Sequence, residues 1–405
     1  MENWFKERID FVTLGLTLTL VVISLFSMYS ATYDAGASAY FHRHTLWVLV
    51  GLLLMTSVAL VPFRTLQLFS FPMYGLSILF LIGVLVLGKT VAGSKSWFGL
   101  GTLGLQPAEF AKATTILALA SFLSQRHINL QRFKDVVLAM TFVLVPTALI
   151  IAQPDVGTAI IFIGMIIPIL YWAGISTFFL LTLLAPGIAA LAALFGTTAF
   201  VLAVAGTLVT LFLLRENRFV SAIVFSLTVL VGVSVQFMYG KLQPYQQKRI
   251  DTFLNPESDP LGAGYNVIQS KIAIGSGGML GKGFLHGTQT QLNFIPAQWT
   301  DFIFCVPGEE FGFLGAFVIL VLLGWLLVRG VQIATMVKNP YASFVAIGIV
   351  SIFAVHIIIN IGMSMGLLPV IGIPLPFLSY GGSNLVTNLM MVGLLLNMYL
   401  NRKEY

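Results

Sequence analysis

The chain has 405 residues, of which 58% are hydrophobic and only 9% are charged, and its formal net charge is +6. A soluble domain carries about 25% charged residues, so this composition excludes a soluble protein and indicates an integral membrane protein. No array of basic and aromatic residues suggests nucleic-acid binding. The single cysteine, Cys305, allows neither an internal disulfide nor a cysteine cluster for a metal, and we interpret it as a packing residue.

Continuous apolar runs of about 20 residues, enough to cross ~30 Å of hydrocarbon, recur along the chain. They predict twelve spans, at residues 9–30, 46–63, 72–88, 107–124, 136–152, 156–173, 177–195, 197–214, 219–239, 304–328, 342–367 and 380–401. Strands of a β-barrel would be shorter and would alternate apolar with polar residues. We therefore predict an all-α polytopic membrane helix bundle, a single domain over residues 1–405 with a long extracytoplasmic loop at 241–302.

The positions of Lys and Arg predict the orientation. The charged opening, MENWFKERID, precedes an apolar run longer than the 7–15 residues, roughly, of a cleavable signal, so we expect a retained first helix. With the N-terminus inside, the short outer loops hold only Arg43, Lys89 and Lys95, and most other basic residues fall in inner segments. Both termini are therefore predicted to be cytoplasmic.

The fourth predicted helix carries two charges about one turn inside the membrane. In QPAEFAKATT, Pro107 suits a first helical turn, and Glu109 and Lys112 lie three residues apart on the same side of the helix. The pair could merely neutralise itself within the bilayer. Ionisable groups in spans usually face a cavity, however, which favours a functional role.

Two aspartates precede predicted helices. Asp155, in QPDVGT, would cap the sixth helix, and capping alone is the favoured interpretation. Asp301, in PAQWTDFIF, would stand at the entrance to the tenth helix, where capping and catalysis are equally favoured. Glu309 and Glu310 are predicted about two turns deeper, either as buried partners of polar groups or as supports for the long loop.

The predicted outer loop is rich in Gly, Ser, Asn and Gln, and its glycines allow close approach to a ligand. A loop of ~60 residues without a function would be unusual. We expect a short interfacial helix around Val267–Ile274. The stretch GSGGMLGKG lacks the GxxxxGK[ST] pattern, which argues against a nucleotide-binding loop.

The run NIGMSMGLLPVIGIPLPFLSYGGSN, residues 360–384, contains three prolines followed by Ser379, Tyr380 and two glycines. It cannot continue as a regular helix through lipid, because its freed backbone groups need partners in protein or water. We interpret it as an outer re-entrant turn that lines a cavity.

This run resembles the signature of the SEDS family (shape, elongation, division and sporulation proteins), and QPAEFAK, QPDVGT and TDFIF resemble other landmarks of that family in the same order. The resemblance covers nearly the whole chain. Within the family, FLNPESDPLGAGYNVIQSKIAIGSGG and GKGFLHGTQTQLNFIP resemble the elongation (RodA) type more than the division (FtsW) type.

The resemblance implies a peptidoglycan glycosyltransferase of a bacterial cytoplasmic membrane that acts during cell elongation. Its substrate would be lipid II, a disaccharide-pentapeptide on undecaprenyl pyrophosphate, polymerised on the outer face. The expected partners are a class B penicillin-binding protein, which is a transpeptidase, and other elongation-complex proteins. The family's essential carboxylate falls on Asp301, and its intramembrane acid–lysine pair falls on Glu109 and Lys112.

For that reaction Asp301 is the candidate general base, with inversion at the anomeric carbon. Lys112 and Lys271, or a divalent metal such as Mg or Mn, would hold the pyrophosphate. Glu109 would position Lys112, Asp155 would hold sugar or metal, and Ser379 is a further candidate for substrate binding. Apart from the divalent metal, no cofactor is predicted.

The sequence departs from the family pattern in two places. Three spans are predicted within 177–239, where one is usual, so we expect two additional helices there. Trp299 stands where members often have His, so an acid–base role for that His cannot apply. A lipid II transporter and a non-catalytic scaffold remain alternative functions, although the clustering of unusual residues at one face favours the enzyme.

Overall fold

The structure is a computed structural model that describes residues 9–33, 36–91, 94–100, 103–214, 218–239, 241, 247, 251–255, 259–260, 262 and 264–404. Its helices are α1 (Phe11–Tyr33), α2 (Ser38–Leu60), α3 (Phe63–Leu87), α4 (Pro107–Leu123), α5 (Phe133–Ala152), α6 (Val156–Trp172), α7 (Thr177–Leu194), α8 (Thr197–Leu214), α9 (Arg218–Tyr239), α10 (Tyr265–Ser276), α11 (Thr288–Gln291), α12 (Cys305–Glu310), α13 (Gly312–Met336), α14 (Pro340–Ser364) and α15 (Gly382–Leu400).

Twelve of these helices have at least 17 residues, and each overlaps one of the twelve predicted spans. In the described part of the chain, nine are long and apolar enough to cross a membrane, and α6 and Phe219–Val235 are shorter apolar helices. The predicted all-α polytopic bundle is confirmed. Two helices begin earlier than predicted, α2 at Ser38 and α3 at Phe63, with Pro72 inside α3.

A small β-sheet between α3 and α4 was not predicted. Strands β1 (Lys89–Val91), β2 (Ser94–Leu100) and β3 (Leu103–Leu105) pair antiparallel in that order. The hydroxyl of Ser94 and the backbone N–H of Lys95 donate to the carbonyl of Gln153, at 2.7 and 3.3 Å. The sheet is thereby tied to the end of α5, where its edge groups find partners within the protein.

The chain divides into two compact units. The larger comprises residues 1–172 and 266–405, and the smaller comprises residues 173–265 with α7, α8 and α9. Within the smaller unit, Phe178, Leu211 and Val224 form a buried cluster. The two additional helices within 177–239, and a single domain over the whole chain, stay predictions. Every residue proposed above for catalysis or substrate binding lies in the larger unit.

The centre of the larger unit is formed by α4, α14 and α15, which bury much of their surface in protein. In α15 78% of the apolar window is buried, and in α14 56%. Close helix approach depends on small residues: a Cβ at Gly393 would lie 2.5 Å from the carbonyl oxygen of Met55. Polar residues on these three helices are therefore shielded from lipid.

Helical structure is interrupted at two places close to the residues proposed for catalysis and substrate binding. The chain leaves helical structure between α14 and α15, at residues 365–381, which confirms the predicted break; we call this the re-entrant segment. The predicted span 304–328 is wrong in its limits, because the helix breaks after Glu310 and restarts at Gly312 (φ 64°). A Cβ at Gly312 would lie 2.4 Å from the backbone nitrogen of Gly281, so the break packs against the preceding loop.

Candidate active site

Helices α4, α6 and α15 begin at one end of the larger unit. Gln106, just before α4, joins them: its side-chain amide donates to the Asp155 carboxylate at 2.9 Å, and its backbone N–H donates to the Ser383 hydroxyl at 3.2 Å. The positive ends of three helix dipoles therefore meet at this end. Such an arrangement favours negatively charged groups.

Asp155 caps α6, as interpreted from the sequence. Its carboxylate accepts from the backbone N–H of Thr158 at 3.0 Å and from the Thr158 hydroxyl at 2.9 Å. With the bond from Gln106, three donors already engage it. Its contact with substrate stays a prediction.

The re-entrant segment is held by buried polar side chains. The Asn360 amide donates to the carbonyl of Ile373 at 2.8 Å and to the carbonyl of Asp301 at 2.9 Å. The Ser379 hydroxyl is buried and accepts from the backbone N–H of Leu375 at 2.7 Å. Ser379 thus closes a turn within the segment, and its contact with substrate stays a prediction.

Asp301 lies against this segment. A Cβ at Gly372 (φ 74°) would sit 3.6 Å from an Asp301 carboxylate oxygen, so the carboxylate faces the segment where glycine leaves space. Asp301 is half-buried, and no described residue donates a hydrogen bond to its carboxylate. Burial raises its pKa from 3.8 to about 6. An unpaired carboxylate with such a pKa is suited to accept a proton near neutral pH.

Glu109 and Lys112 belong to a closed network. Their side chains are 5% and 0% exposed, and the Lys112 ammonium lies 2.9 Å from the carboxylate. Lys112 also lies 3.0 Å from Nε2 of His356, whose Nδ1 lies 3.0 Å from the carbonyl of Pro374. The ammonium must donate to Nε2, so Nδ1–H donates to Pro374. This network braces the re-entrant segment, and pyrophosphate binding by Lys112 stays a prediction.

Lys271 is an accessible cation at this end. It lies exposed on α10, and its ammonium lies 2.8 Å from the position of a Cβ at Gly366 in the re-entrant segment. The helix predicted around Val267–Ile274 is confirmed as α10, but it buries Val267, Ser270 and Ala273 in protein. Lys271 and Asp301 thus contact the same segment at positions six residues apart.

Glu309 and Glu310 end α12 and hold the loop that precedes Asp301. Glu309 accepts from the Lys282 ammonium at 2.7 Å and from the backbone N–H groups of Gln289 and Thr290 at 2.9 and 3.0 Å. Glu310 accepts from the Ser30 hydroxyl and from the N–H of Leu285. Both sequence interpretations are thus observed, because Glu310 partners a polar group of the neighbouring helix α1 and both residues support the loop. They do not lie two turns inside a span, because the helix breaks after them.

Glu309→Gln is expected to lower the free energy of unfolding by roughly 2–4 kcal/mol, because charged hydrogen bonds to a buried carboxylate are lost. The side chain of Glu309 is 0% exposed. The measurement is the melting temperature in detergent, together with the rate of proteolysis within residues 278–291. Glu404→Gln, at an exposed carboxylate, is the matched control. Equal melting and proteolysis of the two variants would contradict the anchoring role.

Sequence reasoning missed several residues of the site. His356 could have been found, because an ionisable group inside an apolar span is itself a signal. Gln106 and Asn360 carry no such signal, since their roles depend on distant partners. Among the described residues, no group of three or more His, Cys, Asp or Glu could hold a metal. A metal here would need substrate phosphate oxygens for most of its ligands.

Comparison with known proteins places the chain in context. It matches the family described as cell cycle protein (FTSW_RODA_SPOVE) over residues 7–217 and 179–404. It is 35% identical to the peptidoglycan glycosyltransferase RodA of Treponema pallidum, with 96% of each chain covered. It is 36% identical to stage V sporulation protein E of Bacillus subtilis, with 97% of each covered.

Solved structures share the fold. One chain, from a study of how a peptidoglycan synthase complex coordinates polymerization and crosslinking, superposes with a TM-score of 0.74 at 31% identity. The alignment covers 98% of this chain and 99% of that one. The likeness therefore covers nearly the whole fold.

Proposed function

Because this chain belongs to the cell cycle protein family of FtsW, RodA and SpoVE, we propose that it is a peptidoglycan glycosyltransferase that polymerises lipid II. It is a multi-pass membrane protein, and relatives over its full length are peptidoglycan glycosyltransferases. The observation that carries the proposal is the unpaired, half-buried Asp301 carboxylate beside the re-entrant segment.

In the proposed reaction, Asp301 takes the proton from the 4-hydroxyl of the acceptor GlcNAc. The hydroxyl oxygen bonds to the anomeric carbon of the donor as the bond from that carbon to the phosphate oxygen breaks. Undecaprenyl pyrophosphate leaves with the bonding electrons, and single displacement inverts the anomeric carbon. Pyrophosphate is a good leaving group, so one carboxylate base is enough.

Lys271 stabilises the charge that develops on the pyrophosphate. It is exposed and lies beside the same segment as Asp301, whereas Lys112 has no exposed surface. The helix N-termini at this end favour an anion further. A divalent metal that enters with the pyrophosphate would supply additional positive charge. The steps described above do not depend on it, because they use only residues of the chain.

The rate of polymerisation is expected to rise as the pH increases through about 6 and to level off above about 7. Burial raises the pKa of Asp301 to about 6. Only the deprotonated carboxylate accepts a proton, so the active fraction is lost as the pH falls through that value. The test is kcat in liposomes between about pH 5 and 8, at constant ionic strength. A rate that falls with rising pH would contradict a carboxylate base.

In this proposal the site faces outward. The distribution of basic residues in the short loops, which favours cytoplasmic termini, supports this orientation. Lipid II would then be used on the outer face of the cytoplasmic membrane. The likeness to a chain of a peptidoglycan synthase complex supports a class B penicillin-binding protein as partner, within a cell-elongation complex.

The proposal is tested with purified protein in liposomes that contain fluorescent lipid II. Glycan strands are separated on a gel, and transfer between leaflets is followed with a membrane-impermeant quencher. Strands formed without a change in leaflet distribution are expected. Movement of lipid II between leaflets without strands would favour a transporter and overturn the proposal.

A further inference from the structure

Three aromatic side chains, one of which lies two residues before Asp301 in the chain, have no part in the mechanism above. Tyr40, Trp299 and Tyr380 form what we call the aromatic cluster. The rings of Tyr40 and Trp299 are stacked, with centroids 5.3 Å apart and planes 25° apart. The ring of Tyr380 meets Tyr40 edge to face, with centroids 5.2 Å apart.

The cluster is fixed to both elements that form the active site. Trp299 lies two residues before Asp301, and its carbonyl accepts from the backbone N–H of Tyr380 at 2.7 Å. Tyr380 belongs to the re-entrant segment, and Tyr40 lies in the first turn of α2. The positions of the three rings and of the proposed base are therefore coupled.

The cluster is accessible and has a cation at its edge. Tyr40 is 37% exposed, and Trp299 and Tyr380 are half-buried. The exposed Arg43, one turn after Tyr40 on α2, interacts electrostatically with the phenol of Tyr380. All three rings therefore keep part of their surface open.

We propose that the aromatic cluster binds a pyranose ring of the substrate and so positions the sugar next to Asp301. The face of an aromatic ring is electron-rich and attracts the C–H groups that line one face of a pyranose. The phenol hydroxyl of Tyr380 adds a hydrogen-bonding group for a sugar hydroxyl. This inference rests on the proposed function, and it assigns the recognition of the sugar rather than of the pyrophosphate.

A competing role is anchoring in the membrane interface, where Trp and Tyr are common. The two roles differ in what they recognise. A sugar platform affects ligands that carry the disaccharide, whereas an interfacial anchor affects stability and does not distinguish between lipid-linked ligands. Tyr33, 53% exposed at the end of α1 that precedes α2, provides a matched interfacial tyrosine outside the cluster.

The test compares binding of two probes, lipid II and undecaprenyl pyrophosphate, to protein in nanodiscs. Asp301→Asn is the parent, so that turnover is slow compared with binding. The variants Tyr40→Leu, Trp299→Leu, Tyr40→Phe and Tyr33→Leu are each added to it. Tyr40→Leu and Trp299→Leu are expected to weaken lipid II binding about tenfold. Binding of undecaprenyl pyrophosphate should be unchanged, and Tyr40→Phe and Tyr33→Leu should bind lipid II like the parent.

Lipid II affinity equal to the parent in both leucine variants, or an equal loss for both probes, would overturn the inference. Polymerisation by the wild-type protein is measured in parallel. If the wild type makes no strands, the proposed function fails by itself, since binding is measured separately from turnover. If the wild type makes strands and the leucine variants bind lipid II normally, only the sugar platform fails.

Discussion

Lys112→Met is expected to lower the free energy of unfolding by about 3–5 kcal/mol, because it leaves the Glu109 carboxylate buried without its cation. The Lys112 ammonium has no exposed surface and lies 2.9 Å from that carboxylate. Nε2 of His356 loses its donor in the same variant. The measurement is the melting temperature of the purified protein in one detergent.

Two further variants test whether the unpaired Glu109 carboxylate causes this loss of stability. Glu109→Gln combined with Lys112→Met removes both charges and is expected to recover most of the lost stability. Lys271→Met removes an exposed cation and is expected to leave the melting temperature unchanged while it slows polymerisation. A Lys112→Met protein as stable as the wild type would contradict the closed network. If that protein also turned over normally, Lys112 would have no role in pyrophosphate binding.

Asp301→Asn is expected to lower kcat for lipid II polymerisation by about 10²–10⁴-fold, the usual contribution of a general base. Asparagine keeps the size of the side chain but cannot take up the proton of the acceptor hydroxyl. The measurement is the initial rate of strand formation at saturating lipid II, with equal amounts of folded protein.

The same variant should not be destabilised. No described residue donates to the Asp301 carboxylate, and burial raises its pKa, so ionisation of this group opposes folding near neutral pH. We expect the melting temperature of Asp301→Asn to equal or exceed that of the wild type. Loss of activity together with a large fall in stability would indicate a structural role for Asp301 instead. A stable, inactive variant is the signature of a functional group kept at a cost to stability.

The spans could be predicted from the sequence because the bilayer requires long apolar helices whose backbone groups are satisfied internally. The same rule predicted the break at residues 365–381, where prolines remove backbone donors. Hydropathy did not predict the break in the span at Phe311. The break depends on the close packing of the Gly312 backbone against Gly281, which hydropathy does not report. Nor did hydropathy predict strands β1, β2 and β3, of which β2 is hydrogen-bonded to Gln153 at the end of α5.

The residues of the candidate site could be predicted only in part, because their partners lie far away in the sequence. Asp301, Glu109 and Lys112 stand out because charge is rare in this chain. Their partners do not: His356 lies 244 residues from Lys112, and Asn360 lies 59 residues from Asp301. Sequence spacing carries no information on such contacts. The buried position of Lys112 could likewise be known only from how α4 packs.

The most direct test of this account is strand formation from fluorescent lipid II by the purified protein with its cognate transpeptidase, in liposomes that contain no other glycosyltransferase. Wild-type protein is compared with Asp301→Asn at equal folded amounts. The account predicts glycan strands from the wild type and almost none from Asp301→Asn. Equal strands from both proteins would remove Asp301 from the mechanism, and no strands from a well-folded wild type would contradict the assignment as a lipid II polymerase.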